Sequence, residues 1–218
     1  MSYPTPSTSH LSFDQIYEPS EDTFLILDTL ESEQSYILSH FPNKLPIFLE
    51  VGTGSGVITT FTHHNILKDA LFLTTDLNPH ACQAVKQTSS NNGGTKFLDS
   101  TQMSLASGMR DHLIDILVFN PPYVPDEIVP DVPQSDDAYE WLDLALLGGA
   151  DGMVVTNVLL DDLHRIMSKE GIVYILFCAR NKPELAVKRL QSLGWYGIKV
   201  GERRTGEGLT VYRFTRCA

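Results

Sequence analysis

At 218 residues, 42% of them apolar and 20% charged, the chain is long enough to bury a sizeable core in one domain. No apolar run approaches the roughly 18–20 residues of a membrane span, and the polar start "MSYPTPSTSH" lacks the basic and apolar regions of a signal peptide. The net charge of −11 is uneven, with 5 Lys/Arg against 20 Asp/Glu over residues 1–150 and 11 against 7 over residues 151–218, which argues against direct nucleic-acid binding, since that affinity comes from neutralising phosphates.

Residues 1–12 are expected to form a flexible tail ahead of one domain at 13–218. A helix starts after Pro19: Ser20 suits its N-cap, Glu21 and Asp22 suit its positive end, and Phe24, Leu27, Asp28, Leu30 and Glu31 follow an amphipathic period. Strands are predicted at 47–52, 71–76, 95–99, 115–120 and 171–178, then near 196–204 and 210–216. Helices are predicted at 55–67, 79–90, 152–168 and 182–193, with Gly194 placed as a C-terminal cap. The alternation and the nearly continuous apolar strands indicate an α/β fold with a parallel sheet covered on both faces. "RRTGEGL" makes a hairpin of the last two strands, so the sheet ends in an antiparallel pair. Cys82, Cys178 and Cys217 lie far apart with no CxxC pair, which points to a reducing compartment and to neither a zinc site nor a disulfide framework.

The first strand runs into "LEVGTGSGV", placing Gly52, Gly54 and Gly56 between a strand and a helix. Glycine permits a sharp turn and close approach of a ligand to the main chain. Val57 breaks the dinucleotide GxGxxG spacing, and no Gly-Lys-Ser/Thr follows to make a Walker loop. Glu50, Asp76 and Asp99 are expected at three successive strand ends, Asp76 about 20 residues past the turn, where an acid receives ribose hydroxyls. Such a set suits a ligand with a ribose, an amine and no phosphates, as in S-adenosyl-L-methionine; the competing reading is a plain turn with carboxylates serving as helix caps.

The fourth strand ends in Asn120-Pro121-Pro122-Tyr123. A planar amide or amine nitrogen needs acceptors for its N–H groups, which Asn120 Oδ1 and the Pro121 carbonyl can offer, and a flat surface, which Tyr123 can offer. The prolines stiffen the turn, and Val124 breaks the Pro-Pro-x-Tyr pattern of a WW-domain ligand. Residues 124–143 then hold seven acids (Asp126, Glu127, Asp131, Asp136, Asp137, Glu140 and Asp143) and no Lys or Arg. They form either a solvated loop or an acidic lip that attracts a basic protein surface.

Together "YEPSEDTFLILDTLE" (17–31), "EVGTGSG" (50–56), "TDLNP" (75–79), "NPPYVP" (120–125), "LDLALLGGADGM" (142–153), "YILFCARNKPE" (174–184) and "LTVYRFTR" (209–216) resemble the HemK-type protein-(glutamine-N5) methyltransferases. The resemblance is to the eukaryotic branch, which acts on the class 1 translation termination factor. It implies a Rossmann-like, class I S-adenosyl-L-methionine-dependent methyltransferase fold, a seven-stranded mostly parallel sheet of order 3-2-1-4-5-7-6 with an antiparallel last strand. It also implies methylation of the glutamine amide of a Gly-Gly-Gln motif. Carried over, Thr23, Glu50, Gly52, Gly54, Gly56, Asp76, Leu77, Asp99, Ser100 and Asn120 would contact the cofactor. Asn120, Pro121, Pro122 and Tyr123 would hold the substrate amide. No metal is implied in this chain. The branch works with a small zinc-binding activator subunit, expected along the edge strand at residues 95–105 with Phe97, Leu98, Met103 and Leu105 as contacts. A cytoplasmic location, extending to the nucleus, follows from the substrate. Other acceptors stay open at this point, namely a nucleic-acid exocyclic amine or a protein lysine, as does a cofactor-binding scaffold without activity.

Overall fold

A computed structural model describes residues 2–42, 44–135, 138–204 and 206–217. Two helices, α1 (Glu21–Ser32) and α2 (Gln34–His40), precede β1 (Ile47–Val51), α3 (Val57–Asn65), β2 (Leu71–Asp76), α4 (Pro79–Asn91), β3 (Leu98–Gln102) and β4 (Ile114–Phe119). There follow α5 (Ala138–Leu146), α6 (Val154–Ile166), β5 (Met167–Cys178), α7 (Pro183–Ser192), β6 (Trp195–Arg203) and β7 (Leu209–Arg216). The seven strands form one sheet in the order β3-β2-β1-β4-β5-β7-β6. Pairing is parallel from β3 to β5, while β7 runs antiparallel to both β5 and β6. The expected fold, order and antiparallel last strand are all present.

Two apolar layers sandwich the sheet, and the period of two along each strand assigns residues to them. Phe48, Phe72, Ile116, Val118, Tyr174 and Leu176 face α1, α2 and α3. Leu49, Leu117, Phe119, Val173, Ile175 and Phe177 face α6 and α7. All of β4 is buried, which is why its sequence shows no alternation.

Helix α1 is tied across the sheet by charge. Arg203 of β6 donates to Glu21 Oε2 at 2.7 Å and to Asp28, while Arg213 of β7 donates to Glu33 and stacks 3.5 Å from the Tyr36 ring centre. The first turn of α1 is thereby held over the carboxyl end of the sheet. Thr23 Oγ1 there accepts from the Ser20 N–H, at the cap position expected of Ser20.

Three expectations shift. Within the stretch expected as a flexible tail, residues 2–7 lie against the body: Ser2 N–H donates to Glu31, Tyr3 meets Phe61, and Ser7 N–H donates to Asn92. Strand β3 begins three residues later than expected. As an edge strand with only alternate, partial burial it offers few apolar residues by which to read its register. And α5 occupies part of the stretch read as an acidic loop.

The turn after β4 is braced from outside. Asn181 Nδ2 donates to the carbonyls of Tyr123 and Asp151, each at 2.9 Å. A Cβ at Gly152, whose φ is +67°, would lie 2.0 Å from the Tyr123 carbonyl oxygen. Gly152→Ala must therefore move the Asn120–Tyr123 turn. Its expected cost is at least ~2 kcal/mol, a fall of about 4–8 °C in melting temperature by calorimetry.

Candidate active site

A cavity of about 380 Å³ opens at the carboxyl edge of the central strands, the usual ligand position of open α/β sheets. Its wall includes Glu50, Gly52 and Gly54 around the end of β1, Asp76 and Leu77 at the end of β2, Asn120 to Tyr123 after β4, and Asp22 and Thr23 from α1. The expected residues thus converge on one space, with three exceptions given below.

At the glycine turn, Gly54 has φ +50°, and a Cβ at this position would meet nothing within 4 Å, so its backbone is open to a close ligand. Asp76 holds this turn in place: its Oδ2 accepts from Gly54 N–H at 3.0 Å and its Oδ1 from Asn78 N–H at 2.9 Å. Burial raises the Asp76 pKa above the usual carboxylate range, against the lowering effect of those N–H donors. Glu50 is buried, and its Oε2 accepts from Thr53 Oγ1 at 2.9 Å, from Thr59 N–H at 3.2 Å and from Thr59 Oγ1. It anchors the start of α3 while forming part of the cavity wall. Desolvation pushes its pKa up to about 8, although the threonine donors oppose the rise.

The Asn120 side chain is the polar focus. Its Nδ2 donates to Asp22 Oδ2 at 3.2 Å, and its buried Oδ1 has no partner among the described residues. Asp22 is itself fixed, since its Oδ1 accepts from Thr23 N–H at 2.6 Å, from Thr23 Oγ1 at 3.3 Å and from Tyr17 OH at 3.4 Å. With the carboxyl accepting from Nδ2, the amide turns its oxygen the other way. An unpaired buried carbonyl costs about 1–3 kcal/mol unless something supplies a donor. Tyr123 stands beside it with its hydroxyl donating to Glu207 Oε2 at 3.2 Å; burial first, then Asp22 and Glu207, raise its pKa.

Gly56, Asp99 and Ser100 depart from expectation. Gly56 does not line the cavity: a Cβ there would lie 2.5 Å from Val85 Cα, so it serves the packing of α3 on α4. Asp99 was expected at the end of the third strand. It is the second residue of β3, opposite Leu73, exposed, and 3.7 Å from Lys86 Nζ. Neither it nor Ser100 reaches the cavity, and Ser104 and Leu105 take their place in the wall. Of the four apolar residues assigned to a partner, Phe97 is exposed, whereas Leu98 packs inward and Leu105 lines the cavity.

Sequence reasoning also missed Asp22, Tyr17 and Trp141 as cavity residues. Asp22 looked like a helix-dipole residue only. Trp141, Leu144 and Ala145 had a legible signal, the i, i+3, i+4 spacing of one helical face, but it lay inside an acidic run. Asp136 and Asp137, the centre of that run, lie outside the described residues. Among the described residues no helix is long and apolar enough to cross a membrane.

Comparison with known proteins shows which family and fold the chain resembles. The Methyltransferase small domain family matches residues 28–132. The eRF1 methyltransferase catalytic subunit mtq2 of Schizosaccharomyces pombe is 35% identical, with 97% of this chain and 95% of that protein aligned. Methyltransferase HEMK2 of Homo sapiens is 32% identical over 98% of this chain and 97% of its own. Among solved structures, the E. cuniculi Mtq2–Trm112 complex, described as responsible for methylation of the eRF1 translation termination factor, matches with a TM-score of 0.67. Identity there is 27%, covering 93% of this chain and 99% of that one.

Burial of Glu50 has a measurable consequence. Its folded-state pKa is raised, so its contribution to stability is fully present below the unfolded value of about 4.3 and is lost as pH rises through about 8. Glu50→Gln removes this titration while keeping an acceptor for Thr53 and Thr59. Denaturant unfolding from pH 5 to pH 9 is expected to show wild type losing on the order of a few kcal/mol relative to the variant.

Proposed function

The chain belongs to the family of the eRF1 methyltransferase catalytic subunit and methyltransferase HEMK2, and on that premise we propose that it methylates the glutamine side-chain amide of the Gly-Gly-Gln motif in the class 1 translation termination factor, eRF1. The observation that carries this reading is the buried, unpartnered Asn120 Oδ1, held by Asp22 at the cavity wall. A neutral amide nitrogen is what such an acceptor suits, because its N–H donors satisfy the orphan oxygen without introducing a buried charge.

The residues present fit S-adenosyl-L-methionine: an open glycine backbone at Gly54, carboxyls at Glu50 and Asp76, and apolar wall at Leu77, Ala81 and Leu105. Thr23, Glu50, Gly52, Gly54, Asp76 and Leu77 would hold it, and when bound it supplies an electrophilic methyl group. The amide nitrogen is a weak nucleophile because its lone pair is delocalised into the carbonyl. Asn120 Oδ1 accepts one amide N–H and fixes the nitrogen's direction, while Pro121 and Pro122 stiffen the turn and Tyr123 bounds the amide plane. Such orientation contributes up to roughly 7–11 kcal/mol in well-aligned systems. The Asn120 acceptor interacts more strongly as positive charge develops on nitrogen, which favours the transition state over the ground state.

Substrate and partner use different parts of the surface. Asp126, Glu127, Asp131, Glu140 and Asp143 are exposed beside the cavity and suit a basic protein surface; they disfavour a nucleic acid. The free edge of β3, with Phe97 exposed ahead of it, suits a small zinc-binding activator subunit of the kind named Trm112 in the E. cuniculi complex. Action on a translation factor supports a cytoplasmic location, extending to the nucleus.

Labelled methyl transfer to a Gly-Gly-Gln protein, with and without the activator, tests the reading. Incorporation is expected into the glutamine protein and not into its Gln→Ala variant; equal labelling of both, or of adenine or lysine substrates instead, would overturn it. In the same assay Asn120→Ala is expected to lower turnover at least ~100-fold while the cofactor Kd changes less than about threefold. Asp22→Ala, which frees the Asn120 amide to turn, should lower kcat by about 10- to 100-fold with a smaller effect on cofactor binding. A Kd loss as large as the kcat loss would make Asp22 a binding residue and not a positioning one.

A further inference from the structure

The acceptor at Asn120 has a counterpart of opposite sense across the cavity. Trp141 is 4% exposed, its indole lines the cavity, and its buried Nε1–H has no partner among the described residues. Buried Trp N–H groups ordinarily find an acceptor, and indole nitrogen can only donate. Trp141 sits on α5 with Leu144 and Ala145, an i, i+3, i+4 face, and all three line the cavity. The donor therefore awaits a ligand that brings an acceptor.

Position decides which part of the ligand this is. The Trp141 ring meets His80 edge-on, with centres 6.1 Å apart, and His80 is the second residue of α4, just after Asp76 and Leu77. Trp141 thus stands at the β2 end of the cavity. The substrate end, at Asn120 and Tyr123, follows β4, two strand spacings or roughly 10 Å away across β1. Leu77, Ala81 and Leu105 give that same end an apolar wall. A flat apolar wall, a carboxyl at Asp76 and one unpartnered donor match a nucleoside: a planar base to cover, ribose hydroxyls, and ring nitrogens and ribose oxygens that accept. The amino-acid end of a sulfonium ligand is charged and offers no flat face.

We propose that Trp141 covers the nucleoside end of the cavity, with its Nε1–H donating to an acceptor on the adenosine of the cofactor. The assignment rests on the reading of the cavity as an S-adenosyl-L-methionine site, and it makes α5 part of the cofactor-binding surface. Binding of the nucleoside also buries the remaining edge of the indole, which places an emitter directly on the ligand.

The test uses S-adenosylhomocysteine and the full chain with its activator subunit. The chain has two tryptophans, and Trp195 lies in β6 in the layer packed against α6 and α7, so the wild-type signal minus that of Trp141→Phe reports on Trp141. Titration of wild type is expected to give a saturable change in tryptophan emission whose midpoint matches the calorimetric Kd. Adenosine should reproduce the change and methionine should not. Trp141→Phe keeps the ring but loses the donor, and should bind about five- to tenfold more weakly by calorimetry with an unaltered circular dichroism spectrum. Calorimetric binding to wild type with no change in emission, or a variant Kd within twofold, would overturn the role of Trp141 alone. Absence of calorimetric binding to wild type would instead overturn the cofactor reading, and this assignment with it.

Discussion

One hydrogen bond organises the site: Asn120 Nδ2 to Asp22 Oδ2, between residues 98 positions apart in the chain. A free asparagine amide can present either its oxygen or its nitrogen to a cavity. A carboxyl on one side removes that freedom, because Asp22 accepts and already takes three other donors. The oxygen is left facing a space with no partner of its own. Stability alone would not retain such an arrangement, since an unpaired buried carbonyl costs about 1–3 kcal/mol. A donor from a ligand would remove that cost, whereas an ionised carboxylate in its place would bring charge to a buried position.

That bond can hold only if its two ends are fixed, and much of the surrounding structure does this. The Asn120 end is set by the register of β4, buried on both faces, and by the Asn181 bonds and Gly152 contact behind the Tyr123 carbonyl. The Asp22 end is set by α1, whose first turn is gripped by Arg203 from the far side of the sheet. The antiparallel end of the sheet therefore contributes to a site it does not line: β6 carries the arginine that holds α1 over the carboxyl ends of β1 and β4. The Arg203 pairs are partly exposed and individually modest in energy. Their part is in direction more than in stability.

Central elements were legible in the sequence because burial on both faces leaves a strong mark. The apolar runs of β1, β2 and β4 appear within one residue of their expected bounds, as does the break into glycine or Asn-Pro-Pro-Tyr at their ends. The edge strand was not: β3 buries little, so "TKFLD" looked more like a strand than the polar "LDSTQ" that pairs with β2. Asp99 consequently moved from a strand end to an exposed position beside Lys86. Asp22 was hidden for a different reason. Local sequence explains it fully as a first-turn acid, and only the tertiary approach of α1 to β4 gives it a second partner. Helix propensity and a long-range hydrogen bond ask for the same residue type there, so neither reveals the other.

The acidic stretch after the Asn-Pro-Pro-Tyr turn shows how two readings can share one helix. Val124 pairs with Leu147, so the two ends of the stretch are held together. Within it α5 turns Trp141, Leu144 and Ala145 toward the cavity and leaves Glu140 and Asp143 exposed. Such amphipathicity follows from the 3.6-residue period: an apolar face can cover a ligand only while the opposite face meets solvent. Here the solvent side is acidic, carrying Glu140 and Asp143.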